Sequence, residues 1–163
     1  MTAMPKEKDT KTNALRLLET AGVAYEAIHY ECKEFTDGVH AADAAGTPPD
    51  QTYKTLVGTG KSGQHYVLVL PVAGEVDLKK AARAAGEKAL ELISVKELLP
   101  LTGYVRGGVS PLAMKKAFPT LVQEEAQLYD EIFVSGGRIG LSVKLAPDEL
   151  LRVTGGSYAD FCK

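Results

Sequence analysis

Apolar residues along this chain recur first at helical and then at strand spacing. Leu15, Leu17, Leu18 and Ala21 lie close to one helical face, and Gly22 stands where a left-handed C-cap is wanted. This predicts a helix over about residues 11–21. Ala24 to Tyr30 alternates and carries Tyr and Ile, which predicts a strand. Thr36 or Asp37 caps a short helix through Ala41, Ala42, Ala44 and Ala45, closed by Gly46; Thr47-Pro48-Pro49-Asp50 then forbids continuation. Tyr53–Thr59 and His65–Val72 read as strands joined by the turn Gly60-Lys61-Ser62-Gly63.

Asp77 opens a helix through Ala85 that Gly86 ends. Ser94-Val95-Lys96-Glu97 has the form of a capping box and starts another helix, which Gly103 ends. Leu121–Glu125, Glu131–Ser135 and Ile139–Leu145 read as strands, the last two joined by Gly136-Gly137. Pro147, with Asp148 and Glu149 behind it, starts a final helix that runs to Gly155-Gly156. Hairpins mixed with short helices, without regular βαβ alternation, predict a single α+β domain over residues 11–163 with a mixed, mostly antiparallel sheet. Residues 1–10 read as a disordered leader.

Composition narrows the function classes. The 163 residues suffice for a core without staples. Lys and Arg number 19 against 21 Asp and Glu, a net of -2, which argues against a protein that grips a nucleic-acid backbone by bulk charge. A local basic patch remains compatible with that sum. Cys32 and Cys162 fit no metal spacing and no disulfide framework, so a reducing cytoplasm is the expected compartment. The polar start has no signal-peptide core, and the apolar stretch Tyr66–Ala73 is too short to span a bilayer.

Several motifs match by letters and fail by context. Gly58-x-Gly60-x-x-Gly63 and the P-loop-like Gly60-Lys61-Ser62 both need a following helix, whereas a strand follows here. Gly108-Val109-Ser110-Pro111 is not a nucleophile elbow, because Pro111 replaces the second glycine. His29, His40 and His65 are scattered, and no Cys-His or Ser-His pairing is suggested. Chemistry must therefore lean on backbone groups, on a lysine or on the substrate.

Three places can carry it. Lys54 opens an apolar strand after a Pro-rich turn, as a solvent-facing lysine or as a cation for a phosphate or polarised carbonyl. Gly103-Tyr104-Val105-Arg106-Gly107-Gly108-Val109-Ser110-Pro111 is a plain turn or a loop that aims N–H groups at an oxyanion. Val134-Ser135-Gly136-Gly137-Arg138 is a simple hairpin or a turn that presents Ser135 to a pocket.

In their order these stretches, with Asp77-Leu78-Lys79-Lys80-Ala81-Ala82 and Leu145-Ala146-Pro147-Asp148-Glu149-Leu150, resemble the YbaK/prolyl-tRNA-synthetase-associated domain family over about residues 12–160. The resemblance implies a mixed sheet curled into a partial barrel surrounded by short helices. It also implies trans-editing, the deacylation of a mischarged aminoacyl-tRNA, above all Cys-tRNA(Pro). The partners implied are mischarged tRNA and the prolyl-tRNA synthetase, with no cofactor, no metal and no membrane.

By the same resemblance, Lys54 is the family's functional lysine, set against the terminal adenosine or its phosphate, with Thr55 beside it. The loop Gly107, Gly108, Val109, Ser110 and Pro111 holds the ester carbonyl through backbone N–H groups, and Val109 tunes pocket size. Tyr30 and Ser135 occupy pocket positions. In cysteine-specific relatives the substrate's own thiol attacks its ester and leaves as a thiolactone. Three further readings stay open: an alanine-type deacylase that uses water, a non-catalytic tRNA- or synthetase-binding module, and a serine hydrolase built on Ser110 or Ser135 with Lys54.

Overall fold

The computed structural model describes residues 11–31 and 38–163. The expected leader, the Thr36/Asp37 cap and Cys32 lie outside the described residues. Helix α1 spans Asn13–Thr20 and buries Ala14, Leu15 and Leu18. It starts at Thr12, whose hydroxyl accepts from the Leu15 N–H (3.2 Å) and so meets one of the helix's orphan donors. Strand β1 (Tyr25–His29) and helix α2 (Gly38–Ala45) follow. A 3-10 turn over Pro49–Gln51 then leads into the hairpin of β2 (Tyr53–Gly60) and β3 (His65–Pro71).

That hairpin settles the glycine motif. Gly58, Gly60 and Gly63 fall on a strand and its turn, with no helix after them. A Cβ on Gly58 would stand 2.6 Å from the Leu90 side chain, so the residue answers to packing and not to phosphate.

Helix α3 (Leu78–Ala85) is capped by Asp77, whose carboxylate accepts from the N–H groups of Lys79 and Lys80. The short strand β4 (Leu90–Leu92) precedes α4 (Val95–Thr102), where the Glu97 carboxylate accepts from the Ser94 N–H (2.9 Å). After a long irregular stretch come β5 (Thr120–Gln123), a 3-10 turn (Glu124–Leu128), β6 (Ile132–Ser135), β7 (Leu141–Leu145), α5 (Pro147–Thr154) and β8 (Ser157–Ala159).

The strands form two sheets and do not close into a barrel. One is antiparallel, in the order β1-β7-β6; the other has the order β4-β2-β3-β5-β8, with β3-β5 and β5-β8 parallel. They meet at a parallel bridge between Thr52 and Phe133. Central β3 is buried on both faces, so Val67-Leu68-Val69-Leu70 reads as an unbroken apolar run. Val67 and Val69 join the core that α1, β6, β7 and Leu150 complete. Leu68 and Leu70 face Ala81 and Ala82 of α3 and Phe161 on the other side.

β4 and β8 were not expected from the sequence. Each has three residues and is held by its neighbour's ladder, not by its own pattern. The expected strand from Ile139 begins at Leu141, because the Leu141 N–H closes a turn on the Arg138 carbonyl (3.3 Å). Among the described residues no helix is long and apolar enough to cross a membrane.

Candidate active site

The site lies where the two sheets part. β2 touches β6 at the Thr52–Phe133 bridge, and β4 joins the same side of β2 only from Gly58, with the Ile93 N–H donating to the Val57 carbonyl (3.0 Å). Ladder bonds alternate sides, so the backbone of Thr55 is directed away from β3 into the uncovered gap. The gap opens into a cleft of about 390 Å³ lined by residues of both sheets, α2 and α4.

Lys54, Thr55, Tyr30, Gly107, Val109 and Ser135 all line this cleft. Residues over 100 positions apart in sequence thus meet at one opening. Gly108, Ser110 and Pro111 do not line it. Gly108 instead packs against the Ser135 turn, since a Cβ there would stand 2.9 Å from Arg138 Cα. Its N–H is committed to the Val105 carbonyl (2.9 Å), closing a turn that Gly107 completes at φ +88°. Ser110 is fully buried, and its Oγ accepts from the Leu112 N–H (3.2 Å), which leaves no reactive hydroxyl in the cleft from this position.

Loop and turn hold one another. Tyr104 donates to the Leu112 carbonyl, and its ring lies 3.2 Å from where a Gly137 Cβ would stand. The Thr12 hydroxyl donates to the Gly136 carbonyl, tying the start of α1 to the same turn. Ser135 Oγ accepts from the Gly137 N–H (3.2 Å), which fixes the hydroxyl at the turn's entry. Within the loop, the N–H groups of Gly107 and Val109 have no hydrogen-bond partner among the described residues.

The cleft's charge is one-sided. Its charged lining residues are Lys54 and Arg106; no carboxylate, imidazole or thiol is among the described residues that line it. Lys54 is half-buried and makes neither a hydrogen bond nor an ion pair among the described residues, so its ammonium is uncommitted. Among the described residues Tyr53 Oη and Thr55 Oγ1 are buried without a hydrogen-bond partner, a cost of about 1–3 kcal/mol for each such group. Burial, and then the Glu125 carboxylate, push the Tyr53 phenol far up, so it stays neutral at physiological pH. Thr47 and Thr52 bring their hydroxyls within 2.9 Å of each other, and Thr52 donates to the Pro48 carbonyl (2.6 Å), pinning the entry to β2.

Arg106, Thr47, Thr52, Ser142 and the alanines of α2 also line the cleft and are not predicted by the sequence. Arg106 was the most visible of them, since it directly precedes the Gly107-Gly108 pair. The others carry no signal, being small residues that matter only through where the chain puts them.

Residues 34–153 match the aminoacyl-tRNA editing domain family. Across 95% of both chains, the sequence is 40% identical to EbsC of Enterococcus faecalis, a protein proposed to be a Cys-tRNA(Pro)/Cys-tRNA(Cys) deacylase. It is 28% identical to the multifunctional Ser/Thr-tRNA deacylase ProXp-y of Escherichia coli K12, over 99% of this chain and 98% of that one. A crystal structure of a proposed trans-editing enzyme for prolyl tRNA synthetase superposes with a TM-score of 0.80 at 29% identity, covering 94% of this chain and 99% of that one.

Proposed function

The chain belongs to the aminoacyl-tRNA editing domain family, and from that premise we propose that it is a cytoplasmic deacylase that clears cysteine wrongly esterified to tRNA(Pro), working beside the prolyl-tRNA synthetase. A synthetase that must tell proline from small competitors gains only about 10–200-fold from pocket size, so a second sieve is needed. The observation that carries the reading is the cleft itself: open N–H donors of Gly107 and Val109 in the same lining as Lys54, with no carboxylate, imidazole or thiol among the described residues that line it.

In this mechanism Lys54 and Arg106 bind the anionic end of the tRNA and orient its terminal adenosine. The ester carbonyl oxygen accepts from Gly107 and Val109, whose N–H groups stabilise the oxyanion of the tetrahedral intermediate. The cysteine sulfur, held close to its own carbonyl carbon, attacks it. The C–O bond to the ribose breaks, and the thiol proton ends on the departing ribose hydroxyl. Cysteine leaves as a cyclic thiolactone that water opens. The enzyme supplies proximity and a fixed oxyanion site, effects that together account for large rate gains without a side-chain nucleophile. Thr55 and Ser135 line the amino-acid end, Tyr30 closes it, and Val109 sets its width, while Gly108, Ser110 and Pro111 hold the loop.

Purified protein with labelled Cys-tRNA(Pro) is expected to release cysteine, and Lys54→Ala to lose most of that activity while keeping its stability within about 0.5 kcal/mol, since Lys54 makes no hydrogen bond or ion pair among the described residues. No release above buffer, or full release by Lys54→Ala, would sink the proposal. The Escherichia coli relative and the cleft hydroxyls of Thr47, Thr52, Thr55 and Ser135 support a second reading, in which water attacks a serine or threonine ester. Cysteine with its thiol blocked resists cleavage under the first reading and is cleaved under the second.

A further inference from the structure

A second concavity, outside the cleft, lies between α3 and β4. Lys79, Arg83, Glu87, Lys88 and Leu90 are among its lining residues. Lys79 and Arg83 stand four residues apart on one face of α3, and Lys88 sits on the connection to β4. All three are exposed, and none takes part in an ion pair or a side-chain hydrogen bond among the described residues. The carboxylate in the same groove, Glu87, is turned to the β2–β3 turn: it accepts from the Ser62 N–H (3.1 Å) and from the hydroxyls of Ser62 and Tyr66. That turn adds a fourth exposed cation at the rim, Lys61, whose N–H donates to the Ala89 carbonyl (2.9 Å).

The groove and the cleft are the two ends of one strand. Ala89 and Leu90 line the groove, and Leu92 and Ile93 line the cleft. Leu90 and Leu92 are two residue steps apart along β4, about 7 Å, with one residue between them. Glu91, between them, alternates to the other face from Leu90 and Leu92. A polyanion whose end sits between Lys54 and Arg106 would therefore meet three further cations as it leaves along β4.

We propose that the groove between α3 and β4 holds the sugar–phosphate backbone of the tRNA acceptor end whose esterified terminus occupies the cleft, with Lys79, Arg83 and Lys88 as its phosphate contacts. This rests on the deacylase reading above. It gives a chain of net charge -2 a local, directional hold on RNA.

The test compares wild-type protein with a Lys79→Glu, Arg83→Glu, Lys88→Glu triple variant on two substrates: full-length Cys-tRNA(Pro) and the cysteine ester of a short trinucleotide ending in adenosine. On the full-length tRNA, kcat/KM should fall about 10- to 100-fold at about 0.1 M salt, mostly through KM. Its log–log salt dependence should become shallower by about 2–3, close to one per lost phosphate contact. The short ester should be cleaved by both proteins at rates within twofold. A set with Gln at all three positions, expected to show a smaller loss in the same direction, replaces the charge reversal if its melting temperature drops.

Unchanged kcat/KM and salt slope on full-length tRNA overturn the proposal. So does equal loss on both substrates, which would mean that the groove acts through the cleft's shape. If wild-type protein cleaves neither substrate, the deacylase reading fails by itself, and titration with uncharged tRNA decides the groove: weaker, less salt-sensitive binding by the variant upholds it, and equal binding overturns it. Tighter binding of wild-type protein to anionic phosphatidylserine vesicles than to tRNA also overturns it.

Discussion

Gly108 has no room for a side chain, and that decides how its loop works. The sequence made it a backbone donor, on the sound ground that paired glycines let a ligand come close. A motif records that a glycine is required, but not whether the close neighbour is a ligand or the protein itself. Here the neighbour is Arg138, with Cα 2.9 Å from a would-be Cβ and the carbonyl carbon at 3.1 Å. Backbone cannot yield as the tip of a flexible side chain can. Gly108→Ala is therefore expected to cost about 1–3 kcal/mol, read as a lower urea midpoint, and to lower deacylation as the two loops part. Gly107→Ala, exposed at φ +88°, should cost only the left-handed strain of about 1–2 kcal/mol. An alanine at position 108 that leaves the urea midpoint unchanged would show that the loops are not interlocked there. Lys54 is the opposite case: residue type and place left it open between a solvent-facing lysine and a cation for an anionic ligand, and the structure sets it in the cleft lining with no hydrogen bond or ion pair among the described residues.

At the level of elements, the fold was legible where local chemistry dictates a start or a stop. Asp77 and Gly86 bound α3, the Ser94–Glu97 pair starts α4, and Gly60–Gly63 turns the β2–β3 hairpin. It was not legible where an element exists only because a neighbour offers a ladder, as for β4 and β8. The site suffered from the same limit: the cleft is made by two sheets parting after one bridge, and no local pattern announces a divergence between strands 80 residues apart. Helix α1 shows how a local signal reaches the site. Thr12 caps the helix and also donates to the Gly136 carbonyl, so one hydroxyl fixes both the helix start and the Ser135 turn. Thr12→Ala should cost about 1 kcal/mol as a lost cap and lower kcat more than it raises KM, because the turn loosens beside the bound ester. Thr12→Ser, which keeps the hydroxyl, should restore both. Unaltered kcat in a clearly destabilised Thr12→Ala protein would separate the cap from the site.

For the molecule as a whole, the balance of charge has a sharper meaning than its sum. A net of -2 argued against a nucleic-acid partner, yet Lys54 and Arg106 line the cleft with no carboxylate among its described lining residues, and three more cations border the α3–β4 groove. Opposite charges elsewhere cancel the total while leaving a basic path about one strand long. Every contact assigned along that path goes to a phosphate, to the terminal adenosine or to the ester. Contacts of this kind fix register and orientation but carry little information about sequence. The isolated chain should then hold the end of a tRNA without reading which tRNA it is. In a competition between Cys-tRNA(Pro) and Cys-tRNA(Cys), its kcat/KM values are expected to differ by less than about tenfold, or about 1.4 kcal/mol. Adding the prolyl-tRNA synthetase should widen that ratio in favour of tRNA(Pro), since identity would be read by the larger protein. A hundredfold preference by the chain alone would mean that part of its surface reads bases, and the basic path would then be only half of the RNA-binding face.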